Sequence, residues 1–306
     1  MVRALSIADV TTFLLRDRSL VNEARTRDAL SRGKGRPSWW AFLEEWLPRE
    51  KRWHSWVAVE RRRLRGFVAA RARSGPRAWE ITHFMLAQGE EEAGLALLSE
   101  LSLAGAEHGV EKVFLRLPQD SPLLEISRRA DFSPYAEERL YRGQRGEPQA
   151  QFLLDATSLR PREKEDNFGL FQLYSHSAPA SVRQAEGMTF EEWQQTQERC
   201  PKRKAGEWVW EKEGRVAGWL RSPLGGRSEL ELMVHPAEEE ALETLFAYGL
   251  TRSSPGSPIA CLAAHFQNRL RQHLEARGFE AVADYCLLVK PLAVRVPQPS
   301  LAPIQA

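Results

Sequence analysis

The stretch Glu229-Leu-Glu-Leu-Met-Val-His-Pro-Ala-Glu-Glu-Glu-Ala-Leu-Glu-Thr-Leu-Phe246 decides the fold. Residues 229–234 alternate in the period of a strand with one buried face. Pro236 cannot donate to a sheet ladder and ends it. Beyond it, Ala237, Ala241, Leu242, Leu245 and Phe246 recur at helical spacing and form one apolar stripe. The chain carries this strand–turn–helix unit twice. Trp79-Glu-Ile-Thr-His-Phe-Met-Leu-Ala-Gln-Gly-Glu-Glu-Glu-Ala-Gly-Leu-Ala-Leu-Leu98 runs from a strand through a turn at Gln88-Gly89 into a helix bearing Ala93, Leu97, Leu98 and Leu101. Setting Glu90-Glu91-Glu92 on Glu238-Glu239-Glu240 also sets Ala93 on Ala241, Leu97 on Leu245 and Leu98 on Phe246.

Outward from these units the same order recurs. Val2-Arg-Ala matches Leu159-Arg-Pro. Ser6, with Asp9 three residues on, starts a helix, and Ser38 a second one through Trp39, Phe42, Leu43 and Trp46. In the second half Asp166 precedes a helix with Phe168, Leu170, Phe171 and Leu173, and Thr189 with Glu192 caps the next. The hairpins at Trp56–Ala72 and Trp208–Leu220 match, with Gly66-Phe67 on Gly218-Trp219. Strand Val113–Leu117 matches Ile259–Ala263. A helix opening at Ser121-Pro122 and ending at Asp131-Phe132 matches one ending at Gly278-Phe279. Strands at Glu137–Tyr141 and Tyr285–Val289 are expected to close the first and second half. Matched anchors in one order predict a duplicated domain. The expected division is 1–142, a polar glycine-containing linker at 143–149, 150–296, and a Pro-rich tail at 297–306 without fixed structure. Phe152 to Leu154 reads as an extra edge strand.

Composition narrows the function classes. Forty-three Lys and Arg stand against 41 Asp and Glu, a formal net charge of +2, so no global field recruits nucleic acid or a membrane surface. Arg61-Arg-Arg-Leu-Arg65 has no aromatic platform beside it and reads as a solvated hairpin turn. Cys200, Cys261 and Cys286 lack metal or redox spacing. The last two fall in strands, where burial and a reducing compartment are expected. The first residues lack a signal peptide's apolar run, and no stretch reaches membrane-spanning length, so a cytoplasmic monomer or homodimer is expected. There is no phosphate loop, nucleophile elbow or metal-ligand cluster.

The ordered set of strands and helices resembles the GNAT superfamily of N-acetyltransferases. The resemblance implies an α+β, three-layer fold: two tandem GNAT-like domains, each a mixed, mostly antiparallel sheet flanked by helices. It also implies acetyl-CoA as co-substrate and a small-molecule or peptide amine as acceptor. In that family the fourth strand enters a loop whose N–H groups cradle the coenzyme pyrophosphate at a helix N-terminus. Carried onto this chain, the cofactor-binding residues are Met233, Val234, His235, Ala237, Glu238, Glu239, Glu240 and Ala241. Asn268 falls beside the pantetheine, its other reading being a helix N-cap. Glu229 or Glu231 falls at the position of a general base, with Glu80 or His83 in the first half. The family's acid, a Tyr four residues before the Gly of the Gly-Phe pair, is replaced by Leu274 and Ser127. Tyr141 and Tyr285, on the closing strands, could substitute for it, their other and preferred reading being packing residues with satisfied hydroxyls. The chain also departs from the family at the loops, which carry acidic triplets and are two residues short. A carboxylate about 4 Å from a phosphate costs about 4 kcal/mol at an effective dielectric near 20. Two readings stay open: an acetyltransferase working in the second half, where Val234-His-Pro and Asn268 lie nearest the family pattern, or a non-catalytic tandem scaffold that has lost acetyl-CoA. Trp193, Trp208, Trp210 and Trp219 point to an aromatic-lined acceptor site.

Overall fold

The computed structural model describes residues 1–5, 20–31, 53–61, 63–144, 158–198, 205–223, 229–253 and 258–293. The expected helices from Ser6 and Ser38, most of the 143–149 linker, the Phe152–Leu154 strand, Cys200 and the tail lie outside these residues. The strands are β1 (Val2–Ala4), β2 (Trp53–Glu60), β3 (Arg63–Ala72), β4 (Ala78–Leu86), β5 (Lys112–Pro118), β6 (Ser133–Gly143), β7 (Leu159–Pro161), β8 (Ala205–Lys212), β9 (Arg215–Pro223), β10 (Glu229–Val234), β11 (Ile259–Ala264) and β12 (Glu280–Pro291). Eight helices are described: α1 (Arg27–Ser31), α2 (Glu91–Glu107), α3 (Leu123–Arg129), α4 (Asn167–Ser177), α5 (Ala180–Glu186), α6 (Phe190–Thr196), α7 (Glu239–Arg252) and α8 (Asn268–Ala276). None of them is long and apolar enough to cross a membrane.

All twelve strands hydrogen-bond into one sheet in the order β1-β2-β3-β4-β5-β12-β6-β11-β10-β9-β8-β7. The order reads alike from both ends, with β4 and β10 at mirrored positions. Among the described strands only β4–β5 and β10–β11 pair in parallel. The fold is therefore mixed and mostly antiparallel, but the two halves share a sheet. The expectation that Glu137–Tyr141 and Tyr285–Val289 close their own halves is corrected: the two strands trade places. β12 pairs with β5, β6 pairs with β11, and the two pair with each other from Glu280–Arg142 to Val289–Ser133. The exchange leaves no open edge at the junction, where unpaired N–H and C=O groups would be a liability.

Local detail repeats across the halves. Hairpins β2–β3 and β8–β9 carry a register shift at matching points, between Ala58 and Val59 and between Trp210 and Glu211. Gly66 pairs with Leu86, and a Cβ there would come within 2.8 Å of Leu97 Cδ1; Gly218 pairs with Val234, and its Cβ would meet Leu245 Cδ1 at 2.6 Å. Glycine stands at both points because the helix after the fourth strand lies directly on the sheet. The helices that follow β5 and β11 end on Asp131 and Gly278, both with positive φ (66° and 77°). α2 lays Leu97, Leu98 and Leu101 on the first core, and α7 lays Leu245 and Phe246 on the second, all fully buried. Each such side chain contributes about 1.5–3 kcal/mol. Cys261 and Cys286 are buried free thiols.

Candidate functional site

The two parallel pairs come apart after a few residues. β4 and β5 are in register from Ala78–Lys112 to Glu80–Phe114, β10 and β11 only at Glu229–Ala260 and Leu230–Cys261, and each pair then splays into a wedge. A wedge leaves strand N–H and C=O groups without ladder partners, and buried groups of that kind must find others.

In the first half the chain itself supplies them. Glu23 N donates to Phe84 O (3.0 Å) and Arg25 N to Arg116 O (2.9 Å). Between them Asn22 acts as a backbone surrogate: Nδ2 donates to Thr82 O (3.0 Å), and Oδ1 accepts from Phe84 N (2.9 Å) and Ala24 N (3.1 Å). Leu20, Ala24 and Thr26 are buried. Residues 20–26 therefore fill the first wedge as an irregular extra strand.

The second wedge differs. Leu232 O, which the register sets opposite Phe84 O of the first half, accepts from the side chain of Gln267 (3.2 Å), whose Oε1 takes Ala264 N (2.9 Å). Leu232, Met233, Ala264 and Gln267 line a cavity of about 530 Å³. Its roof is α4–α6, through Tyr174, Val182 and Trp193, and Trp219 and Phe266 add further wall. Of the tryptophans expected at an acceptor site, Trp193 and Trp219 line this cavity; Trp208 and Trp210 pack in the second core instead.

Charges dominate the lining. Arg27, Arg73 and Arg116 come from the first half, Arg162 and Arg221 from the second. The acids are Glu138 from β6 and Glu186, Glu198, Glu207 and Glu231 from the second half. Glu198 sits 2.8 Å from Arg27 Nε and 2.6 Å from Arg116 Nη2. Burial pushes its carboxyl up, but Arg116, Arg27 and Arg73 overcome this and hold it well below the usual range. Arg116 also donates to Glu138 (2.9 Å), and Arg27 lies 3.3 Å from both Glu138 and Glu231. Arg73 donates to Thr196 O (2.9 Å) and stacks 3.7 Å above the Phe114 ring. The hydroxyls of Tyr135 (3.2 Å) and Tyr174 (3.0 Å) both donate to Glu186, which burial pushes up. Arg162 (2.6 Å) and the Trp219 indole (3.2 Å) donate to Glu207.

The residues singled out from sequence divide sharply. Glu231 and Met233 line the cavity; Glu229, on the same strand face, lies outside the lining. Glu231 is held between Arg27 and Arg221. Val234 packs against the second core. The short loop is a single β-turn: Glu238 N donates to His235 O (2.9 Å), Ala237 N reaches His235 Nδ1 (3.2 Å), and the first half repeats the turn with Glu90 N on Ala87 O (3.2 Å). The acids here already have cations: Lys212 donates to Glu238 (2.6 Å), and Arg65 lies 3.0 Å from Glu90. Arg269 donates to Pro236 O (2.5 Å), so two cations flank the second turn. Glu239 opens α7, Glu240 is exposed and Ala241 is buried beneath them. Asn268 is the exposed first residue of α8; the N-cap position belongs to Gln267, correcting the N-cap reading. Leu274 and Ser127 are fully buried. Tyr141 donates to Glu275 (2.7 Å) and, like Tyr285, lies outside the cavity lining. In the first half Glu80 is paired with Arg71 (2.5 Å), and burial, aided by Arg71 and Arg25, pushes the His83 imidazole down to about 4. The sequence reading missed Arg27, Glu198 and the 20–26 filler. Arg116, a charge inside the apolar run Val113-Phe-Leu-Arg-Leu117, was a visible signal of a buried polar site.

The chain has the fold of the GNAT acetyltransferases, in their tandem form. A tandem GNAT protein from the clavulanic acid biosynthesis pathway superimposes with a TM-score of 0.53 at 13% identity, covering 97% of this chain and 99% of that one. A GCN5-related N-acetyltransferase from Sphaerobacter thermophilus gives 0.53 at 14% identity, covering 96% and 97%. No protein-family model and no curated protein matches the chain. At these identities the likeness establishes the fold, and the chemistry rests on the site.

Proposed function

We propose that the protein is a tandem N-acetyltransferase with one working slot, in the second half, passing an acetyl group from acetyl-CoA to an amine. The observation that carries this reading is the contrast between the wedges: the first is filled by residues 20–26, while the second opens on a cavity. Leu232 O would accept from a pantetheine amide once the Gln267 side chain turns aside. Lys212 and Arg269 would face the pyrophosphate, offsetting Glu238. When bound, the coenzyme supplies an activated thioester. Glu231 would accept the ammonium proton of the acceptor, its carboxylate held in place by Arg27 and Arg221.

Acetyl-CoA at about 100 times its dissociation constant should stabilise the fold by about 2.7 kcal/mol, read as a rise in Tm. Glu231→Gln should keep that rise and lower turnover about 100-fold or more. A non-catalytic ligand-binding role is the second reading, favoured by one observation: the Glu231 carboxylate is already engaged by two guanidiniums. On that reading acetyl-CoA leaves Tm unchanged and no amine releases coenzyme thiol.

A further inference from the structure

We infer that the cavity recognises a zwitterion: a free α-amino acid carrying an apolar or aromatic side chain. This deepens the transferase reading by naming its acceptor, but the recognition argument stands on the cavity alone. Among the described residues the lining holds five guanidiniums and five carboxylates; four of the carboxylates stand in ion pairs, those of Glu198 and Glu231 across the junction of the halves, while Glu186 accepts from two tyrosine hydroxyls. A lining without net charge gives no field for an ion of one sign. A polycation such as a polyamine would need an excess of acids, and a dicarboxylate an excess of cations. A ligand of single charge would also break an existing pair and leave one partner buried and uncompensated. A zwitterion exchanges like for like, its ammonium meeting a carboxylate and its carboxylate a guanidinium in the bidentate geometry that arginine favours.

The floor of the lining offers both signs: Arg162 Nε is a buried donor with no hydrogen bond, and the Glu231 carboxylate is held in ion pairs by Arg27 and Arg221. Donor and acceptor sit on the same floor, since Arg162 pairs with Glu207 and Glu231 with Arg221 on neighbouring strands. The remaining wall, Tyr174, Trp193, Trp219 and Phe266, is aromatic. It leaves an amino-acid side chain an apolar surface, with Tyr174 committed to Glu186.

The test is equilibrium binding by calorimetry on the full chain without coenzyme. The panel is L-phenylalanine, L-leucine, phenylalanine amide, N-acetylphenylalanine, spermidine and glutarate. The free amino acids should bind, and the amide and the N-acetyl form should bind at least tenfold more weakly. Arg162→Gln, a change at a side chain 29% exposed, removes one positive charge from the lining and should raise spermidine affinity while lowering that for phenylalanine. Binding of spermidine or the amide equal to that of the amino acid would overturn the inference, as would no binding by either free amino acid at concentrations up to about 10 mM. Amide binding with loss of carboxylate selectivity would instead point to a peptide N-terminus. Amino-acid binding without acetyl transfer would leave this inference standing and sink the transferase reading; acetylation of polyamines alone would do the reverse.

Discussion

The two wedges lie between matching strands, each with a glycine under the helix that follows the fourth strand, yet one is filled and the other opens on a cavity. Phe84 O and Leu232 O stand at matching points of the splay. The first meets a main-chain N–H from residues 20–26, the second a side chain that can rotate away. The position before each shows the same division: His83 is buried and held neutral in the first half, while Glu231 faces the cavity in the second. The first half is filled where the second is open. It contributes Arg27, Arg73 and Arg116 to the other half's site, and the filler segment leads directly into Arg27. The sheet junction is thus a wall of the cavity that both halves share.

The comparison breaks most visibly if the halves are separated. A chain ending at Gln144 loses β12, which fills the place between β5 and β6. It should show no cooperative melting transition, because β5 and β6 then expose unpaired ladders. A sharp two-state melt for that fragment would mean the exchanged strands are dispensable. A smaller effect separates the strand positions. His83 ionises near 4 in the fold against 6.5 unfolded, because burial penalises its charged form. Its folded value is depressed, so the unfolded chain binds the proton first as pH falls from 6.5 to 4. Stability is complete above 6.5 and drops by about 3 kcal/mol across that window. His83→Gln should flatten this part of the stability–pH curve; an unchanged slope would place the titration elsewhere. Smaller still is the contrast between the two wedge-spanning amides. Asn22→Ala strands Thr82 O and Phe84 N and should cost about 2–3 kcal/mol, whereas Gln267→Ala, which releases one strand carbonyl to the cavity, should cost about 1 kcal/mol or less. Equal losses in chemical denaturation would erase the distinction between a filled wedge and an open one.

Much of the fold could be read from the chain because its elements are locally determined. The alternation at Glu229–Val234 sets that strand's limits, and Gly66 and Gly218 mark the close approach of helix to sheet. The matched helix ends Asp131 and Gly278 share a positive φ. The strand exchange was not legible: β6 and β12 find antiparallel neighbours in either arrangement, so the same alternation serves both. The filler was hidden for a different reason. Leu20-Val-Asn-Glu-Ala-Arg-Thr26 has no period, and it pairs through one side chain and two isolated N–H groups. The site was half legible. Glu231, Met233, Trp193 and Trp219 were found because they belong to periodic elements. The guanidiniums opposite them come from the other half, and nothing local in the sequence records that proximity.

The central claim is that one slot works and that it lies in the second half. Calorimetric titration of the full chain with acetyl-CoA tests it directly, repeated for Asn22→Ala and for Gly218→Leu, whose side chain would drive into Leu245 and Ala241 and shift the helix over the second wedge. The account predicts one site per chain, unchanged by Asn22→Ala and abolished by Gly218→Leu, with the equivalent Gly66→Leu leaving the stoichiometry at one if that variant folds. Two sites per chain, or a single site lost with the Asn22 change and kept with the Gly218 change, would contradict it.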